Sequence, residues 1–241
     1  MPIITLTSDF GEGSPYVAAM KAVLLSACPR ATLVDVSHAV PPFDLDQGAF
    51  VLWAGTRHFA PGAVHLVVVD PGVGGERRPV AFSLEGSLYV GPDNGVFDLV
   101  CRRARTTPDA VVELRRTDAT SRTFEGRDVF APAAGALGAG GTLTSVGTVP
   151  HQSLAQLPDR GPRIIWVDAF GNLITNLEGR VAGLRVNGRE VRTWGATFSD
   201  APPGEPFLYR GSMDFIEIGV REARADALLG ARAGMTIEPL P

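Results

Sequence analysis

Lysine is nearly missing from this chain: Lys21 stands alone, and arginine carries the rest of the positive charge. That imbalance reads as a coding preference, not a functional signal. Basic runs are missing too, and a net charge of -4 gives no electrostatic footprint for nucleic acid. Cysteine is scarce: Cys28 and Cys101 stand apart with no second thiol at metal or redox spacing, so free thiols in a reducing, cytoplasmic compartment are expected. No apolar run reaches membrane-spanning length, and residues 2–7 read as a strand that leaves no room for a leader's basic start and apolar core. There is no internal repeat, no nucleophile elbow and no Ser/His/Asp pattern, which argues against covalent catalysis. What remains is a globular composition, hydrophobic 45% and charged 20%, over 241 residues, enough for one large domain or two small ones.

Strand-like and helix-like segments alternate through the first half. Residues 3–7 form a β-branched apolar run, and Pro15 opens a helical pattern over 16–27 that Cys28-Pro29 stops. A second strand is expected at 32–36. Asp44 is placed to cap an amphipathic helix over 45–58, Pro61-Gly62 ends it, and 64–69 is an unbroken apolar strand. Residues 80–84 and 88–90 around Glu85-Gly86-Ser87 read as a hairpin, and 96–102, 111–114 and 129–137 continue the alternation. The predicted fold class is α/β, with a Rossmann-like, helix-covered, mostly parallel sheet over residues 1–155. After the glycine-rich stretch 138–147 the character changes. From Arg163 onward short strands and tight turns dominate, with Asn187-Gly188 between 184–186 and 190–192 the strongest hairpin signal. With 207–209, 215–218 and 235–238 these predict a small antiparallel, β-barrel-like domain over residues 162–241. The boundary is expected in the proline-rich segment 150–162.

Chemistry is expected where strands end in acids. The apolar run 64–69 stops at Asp70-Pro-Gly-Val-Gly-Gly-Glu-Arg77, and the first strand stops at Ser8-Asp9-Phe10-Gly11. Ligands of α/β sheets collect outside the carboxyl ends of the strands. Asp70 and Arg77 are either an ion pair that pins a turn, with little energetic weight, or a functional pair; Gly72, Gly74 and Gly75, which permit close approach, favour the second. Asp9 either caps its turn or accepts hydrogen bonds from ribose hydroxyls. Gly11-Glu12-Gly13-Ser14-Pro15 lacks the third glycine of a dinucleotide fingerprint and carries acids that repel phosphate. Glu125, in Thr123-Phe-Glu-Gly-Arg-Asp128 ahead of a helix, is a third catalytic candidate or a solvated acid. Asp9, Asp35, His38 and Asp70 make a conceivable metal set, although their spacing matches no strong ligand pattern.

In this order the pieces resemble the S-adenosyl-L-methionine (SAM) hydrolases, or hydroxide adenosyltransferases, a family that includes the fluorinating and chlorinating enzymes. The residues that carry the resemblance are Thr7-Ser-Asp-Phe-Gly11, Tyr16-Val with Met20-Lys21, Val34-Asp-Val-Ser-His38, Asp70 to Arg78, Gly91-Pro-Asp-Asn-Gly95, Thr123 to Pro132, Asp168 to Asn176, and Gly211-Ser212 with Phe215 to Ile218. The resemblance implies hydrolysis of SAM to adenosine and L-methionine, without a cofactor or metal, in a homotrimer whose sites lie between subunits. It implies that Asp70, Arg77 and the residue at 125 hold the water, and that the Asp70/Arg77 pair, missing in the halogenating relatives, selects water over halide. Asp9, Ser14, Asp168, Phe170, Asn172, Ser212, Glu217 and the Val220 backbone become the substrate-binding set. Four positions depart from the family pattern: Glu125 stands for His, Ser14 for Asp, and Met213-Asp214 for smaller residues. With each group ionised as it ordinarily is at neutral pH, an Asp/Arg/Glu group carries a net charge of about −1. The expectation is therefore slower or more pH-dependent hydrolysis, relieved by Glu125→His. A non-catalytic SAM- or adenosine-binding protein and a metal-dependent hydrolase are the alternatives.

Overall fold

The computed structural model describes residues 1–149 and 153–241, and the chain divides into two units, Met1–Leu157 and Pro158–Pro241. Pro150, His151 and Gln152, in the segment where the boundary is expected, lie outside the described residues. The first unit begins β1 (Ile3–Ser8), α1 (Pro15–Ala27), β2 (Thr32–Ser37), α2 (Leu45–Thr56) and β3 (Val64–Val68). It continues with the hairpin β4 (Pro79–Leu84) and β5 (Ser87–Pro92), α3 (Asp98–Arg103) and β6 (Ala110–Leu114). A π-helical turn (Gly126–Phe130), α4 (Ala131–Gly138), α5 (Leu143–Val146) and β7 (Gly147–Thr148) complete it. The caps explain the helix starts: Ser14 Oγ accepts from the Tyr16 amide at 3.3 Å, and Asp44 Oδ1 from the Gln47 amide at 2.9 Å. The expected helix over 129–137 begins earlier, as the π-helical turn, and the glycine-rich stretch after it holds α5 and the start of β7.

The sheet order is β2-β1-β3-β5-β4-β6-β7. The strands β2, β1, β3 and β5 run parallel, while β4, β6 and β7 add antiparallel pairs at the other side. Alternation along the strands sorts side chains between two faces. Ile4, Leu6, Val64, Leu66 and Val68 join Met20 and Leu24 of α1 and Ala134 and Leu137 of α4 in one core. Every residue of β3 is buried, as a central parallel strand covered on both faces requires. The order also fixes where a ligand fits. The chain steps from β1 outward to β2, then crosses back over β1 to β3, so the connections that leave the carboxyl ends of β1 and β3 run in opposite directions. That is a topological switch point, and Asp9 and Asp70 follow those two strands.

On the face away from α1, His65 is hydrogen-bonded through Nδ1 to Thr5 Oγ1 at 2.9 Å and packed against Tyr89, ring centroids 5.0 Å apart. Burial pushes the imidazole down to about 4. The folded state thus holds His65 neutral, and that contribution is complete above the unfolded value near 6.5 and is lost as pH falls toward 4. The loss amounts to about 3 kcal/mol. His65→Gln, which keeps a polar partner for Thr5 but does not titrate, is expected to narrow its stability deficit against the wild type between pH 8 and pH 4.5 in urea unfolding. Parallel curves would refute it.

The second unit holds β8 (Ile164–Val167), β9 (Leu173–Glu178), β10 (Gly183–Val186), β11 (Arg189–Val191), β12 (Pro206–Arg210), β13 (Phe215–Val220), α6 (Ala225–Leu229) and β14 (Glu238–Leu240). Two antiparallel sheets, β12-β13-β9-β8 and β11-β10-β14, share a core that includes Ile164, Leu173, Leu184, Ile216 and Ile218. Asn187 and Gly188, at φ 47 and 78, turn the β10–β11 hairpin as the sequence predicts. The strand expected at 235–238 pairs later, as β14; Thr236 makes only an isolated bridge to Arg163.

Candidate active site

The carboxyl end of β3 is fixed before any ligand arrives. Asn94 Nδ2 donates to the Val69 carbonyl at 2.9 Å, and the turn that follows closes through Val73 N to Asp70 O at 3.3 Å and Gly75 N to Gly72 O at 3.0 Å. Gly74, at φ +72, must be glycine: a Cβ there would stand 2.1 Å from the Arg122 carbonyl oxygen. This turn swings Arg77 back over Asp70. Arg77 Nε donates to Asp70 Oδ1 at 2.9 Å, and its Nη2 reaches Oδ2, a bidentate fork. Its Nη1 pairs with Glu125 Oε2, and the guanidinium lies 5.4 Å from the Phe130 ring centre. Burial alone would lower the Arg77 guanidinium, but hydrogen bonding and charge from Asp70 and then Glu125 hold it above its ordinary value. The side chains of Asp70, Arg77 and Glu125 are 5%, 8% and 2% exposed, so this is a buried cluster and not the surface pair allowed by the sequence.

Beside the cluster lies a cavity of ≈ 330 Å³ lined by Asp9, Asp70 and Glu125 and by an aromatic wall of Phe10, Tyr16 and Phe124. The wall is packed edge to face, with Tyr16 and Phe124 centroids 5.1 Å apart. Asp9 Oδ2 accepts from the Phe43 amide at 3.0 Å. Burial raises the Asp9 carboxyl and the Phe43 amide opposes it, while the nearby charge of Asp70 raises it further. The site thus has one edge of fixed charge and one apolar wall, suited to a ligand with polar hydroxyls, a flat ring and a cationic centre.

One expectation is corrected here. The Asp/Arg/Glu group was expected to be net negative, but Arg116, just after β6, supplies a second cation: its Nε donates to Glu125 Oε1 at 2.8 Å. Asp70 and Glu125 are therefore balanced by Arg77 and Arg116. Ser14, expected to bind substrate, spends its Oγ on capping α1 and is not among the cavity-lining residues. Asp35 pairs with Lys21 at 2.5 Å and His38 Nε2 at 3.1 Å, leaving Asp9 and Asp70 in the cavity. Among the described residues no group of three or more His, Cys, Asp or Glu is placed to hold a metal ion.

The second unit carries the other expected residues. Asp168 organises a turn, Oδ1 accepting from the amides of Phe170 and Asn172 at 2.9 and 2.8 Å and Oδ2 from Asn172 Nδ2 at 2.8 Å. Phe170, left 78% exposed by that turn, lines a cavity of ≈ 390 Å³ with Asn172, Phe198 and Val220. Glu217 and Ser212 are not part of that lining. Ser212 sits in the turn between β12 and β13, and Glu217 is buried with Oε2 accepting from Tyr209 Oη at 2.7 Å. Burial raises the Glu217 carboxyl against that donated hydrogen bond, and Asp168 adds to the rise. Gly211 leaves room for this carboxylate, since a Cβ would stand 1.8 Å from Oε1.

Comparison with known proteins converges on one family. Over 97% of both chains, this one is 42% identical to the (R)-S-adenosyl-L-methionine hydrolase of Thermus thermophilus. It is 39% identical to the enzyme of that name from Salinispora arenicola, over 97% of this chain and 95% of the relative. The crystal structure of an uncharacterised conserved protein from Thermotoga maritima superposes with a TM-score of 0.88 at 32% identity, over 99% of this chain and 100% of the other. The N-terminal domain model of the SAM hydroxide adenosyltransferases matches residues 4–147, which hold the strand-end acids, and the C-terminal domain model matches 162–238. The chain therefore belongs to the SAM hydroxide adenosyltransferase family.

Proposed function

We propose that this protein hydrolyses SAM to adenosine and L-methionine by in-line attack of water or hydroxide on the ribose 5′-carbon. The observation that carries the reading is the buried Asp70–Arg77–Glu125 cluster facing a cavity at the β1/β3 switch point. The names of the relatives, (R)-S-adenosyl-L-methionine hydrolases, support it. A sulfonium departs as a neutral thioether, so no acid is required for the leaving group. The new C–O bond forms as the C–S bond breaks, its electron pair goes to sulfur, and the water proton passes to Asp70 and then to solvent. Arg77 stabilises the growing hydroxide character, and Asp9 accepts from the ribose hydroxyls. The aromatic wall keeps water away from all but the attacking position and favours a cation at its face.

The same reading assigns Phe170, Asn172 and Val220 to adenine, with Asp168 ordering their turn, and Ser212 and Glu217 to the methionine end. In it a homotrimer completes each site with a neighbour's C-terminal unit, no cofactor takes part, and the two free cysteines suit a cytoplasmic setting. Incubation with SAM is expected to release adenosine and methionine in equal amounts, unaffected by chelator, and in ¹⁸O-water the label is expected on the adenosine 5′-oxygen. SAM bound but recovered intact overturns the enzyme reading in favour of a binding protein, and label elsewhere overturns attack at the 5′-carbon.

A further inference from the structure

Glu125 is a buried carboxylate whose needs exceed what Arg77 offers. Arg77 already commits Nε and Nη2 to Asp70, leaving Nη1 for Glu125. One guanidinium between two buried carboxylates leaves uncompensated negative charge where water cannot screen it, a costly arrangement. Arg116 removes the imbalance, with Nε on Glu125 Oε1 at 2.8 Å and Nη2 3.5 Å from Oε2. The same Nη2 donates to the Arg77 carbonyl at 3.0 Å, so one side chain ties the backbone of Arg77 to the carboxylate that Arg77 grips. Arg116 itself is about one-third exposed, at 35%, and does not line the cavity.

We infer that Arg116 is a positioning residue for hydrolysis: it holds the Glu125 carboxylate in place and fixes the Arg77 fork, so that Glu125 and Arg116 act as one unit. The inference rests on the reading of function above. Other charges near Glu125 are few. Asp70 stands behind Arg77, and Asp9 faces the same cavity. Arg127 and Asp128 of the π-helical turn pair with each other at 2.6 Å. Helix α1, packed on that turn, has Lys21 as its charged side chain, already paired with Asp35; α4 and β5, also packed there, carry no charge. Arg116 is thus the cation whose removal leaves Glu125 dependent on a shared partner, free to turn away from the Arg77 fork.

The test is a cycle of Arg116→Met, Glu125→Gln and the double variant, with Arg116→Lys as the conservative change, assayed by adenosine release across pH 5–9. Arg116→Met is expected to lower kcat at least about tenfold with KM changed less than about twofold, as loss of alignment does. Arg116→Lys, which keeps a cation beside Glu125, is expected to recover most of that kcat. In the Glu125→Gln background the Arg116→Met change is expected to cost less than about twofold. A wild-type kcat in Arg116→Met, or equal fold losses with and without the Glu125 carboxylate, overturns the inference. If the wild type releases no adenosine, the functional reading fails instead. The pair is then decided by the same cycle in melting temperature, where coupled shifts support the unit and additive shifts overturn it.

Discussion

Asp70→Asn is expected to lower kcat by about 10²–10⁴-fold, the range for loss of a positioned proton acceptor, with a much smaller change in substrate affinity. The residue keeps its size and its place at the end of β3, where Asn94 holds the Val69 carbonyl, so the cavity is preserved. What is lost is the charge that, in the proposed mechanism, orients water and accepts its proton, and the amide can accept only part of the Arg77 fork. Glu125 remains tied to Arg77 and Arg116 and cannot move to replace it. Steady-state adenosine release together with calorimetric SAM binding reads both quantities. A variant within about twofold of wild-type kcat would remove Asp70 from the chemistry.

Arg77→Met is expected to be as damaging to the fold as to activity. The guanidinium holds two carboxylates whose side chains are 5% and 2% exposed. Removing the shared cation leaves Asp70 and Glu125 buried with Arg116 as their remaining counter-charge, which typically costs about 3–5 kcal/mol. Urea unfolding of the variant beside the wild type measures this, and a loss below about 1 kcal/mol would contradict the pairing seen here.

How much of this was legible in the chain depends on how local each signal is. The apolar run ending at Asp70, the proline and glycines behind it, and the Asn187-Gly188 turn are set by neighbours a few residues apart, and each forms where the sequence places it. Asp9 and Asp70 could be named as strand-end acids for the same reason. The charge of the site could not. Arg116 meets Glu125 across nine positions and the Arg77 carbonyl across 39, and nothing in its surroundings distinguishes it from the adjacent Arg115. A net charge counted over an assumed triad was therefore wrong by one arginine. Ser14 shows the reverse case, where one residue fits two roles and local geometry, the free amides at the start of α1, gives its hydroxyl a partner.

By itself, then, the sequence determined the alternation of strand and helix, the turn chemistry and the acids at the strand ends, because periodicity and backbone preference act within a few residues. The tertiary structure alone decided that the connections leaving β1 and β3 part at a switch point, that Glu125 is buried between Arg77 and Arg116, and that Asp35 is taken up by Lys21 and His38. The physical reason is range: a buried charge is satisfied by whichever counter-charge the folded sheet brings within hydrogen-bonding distance, whatever their separation along the chain.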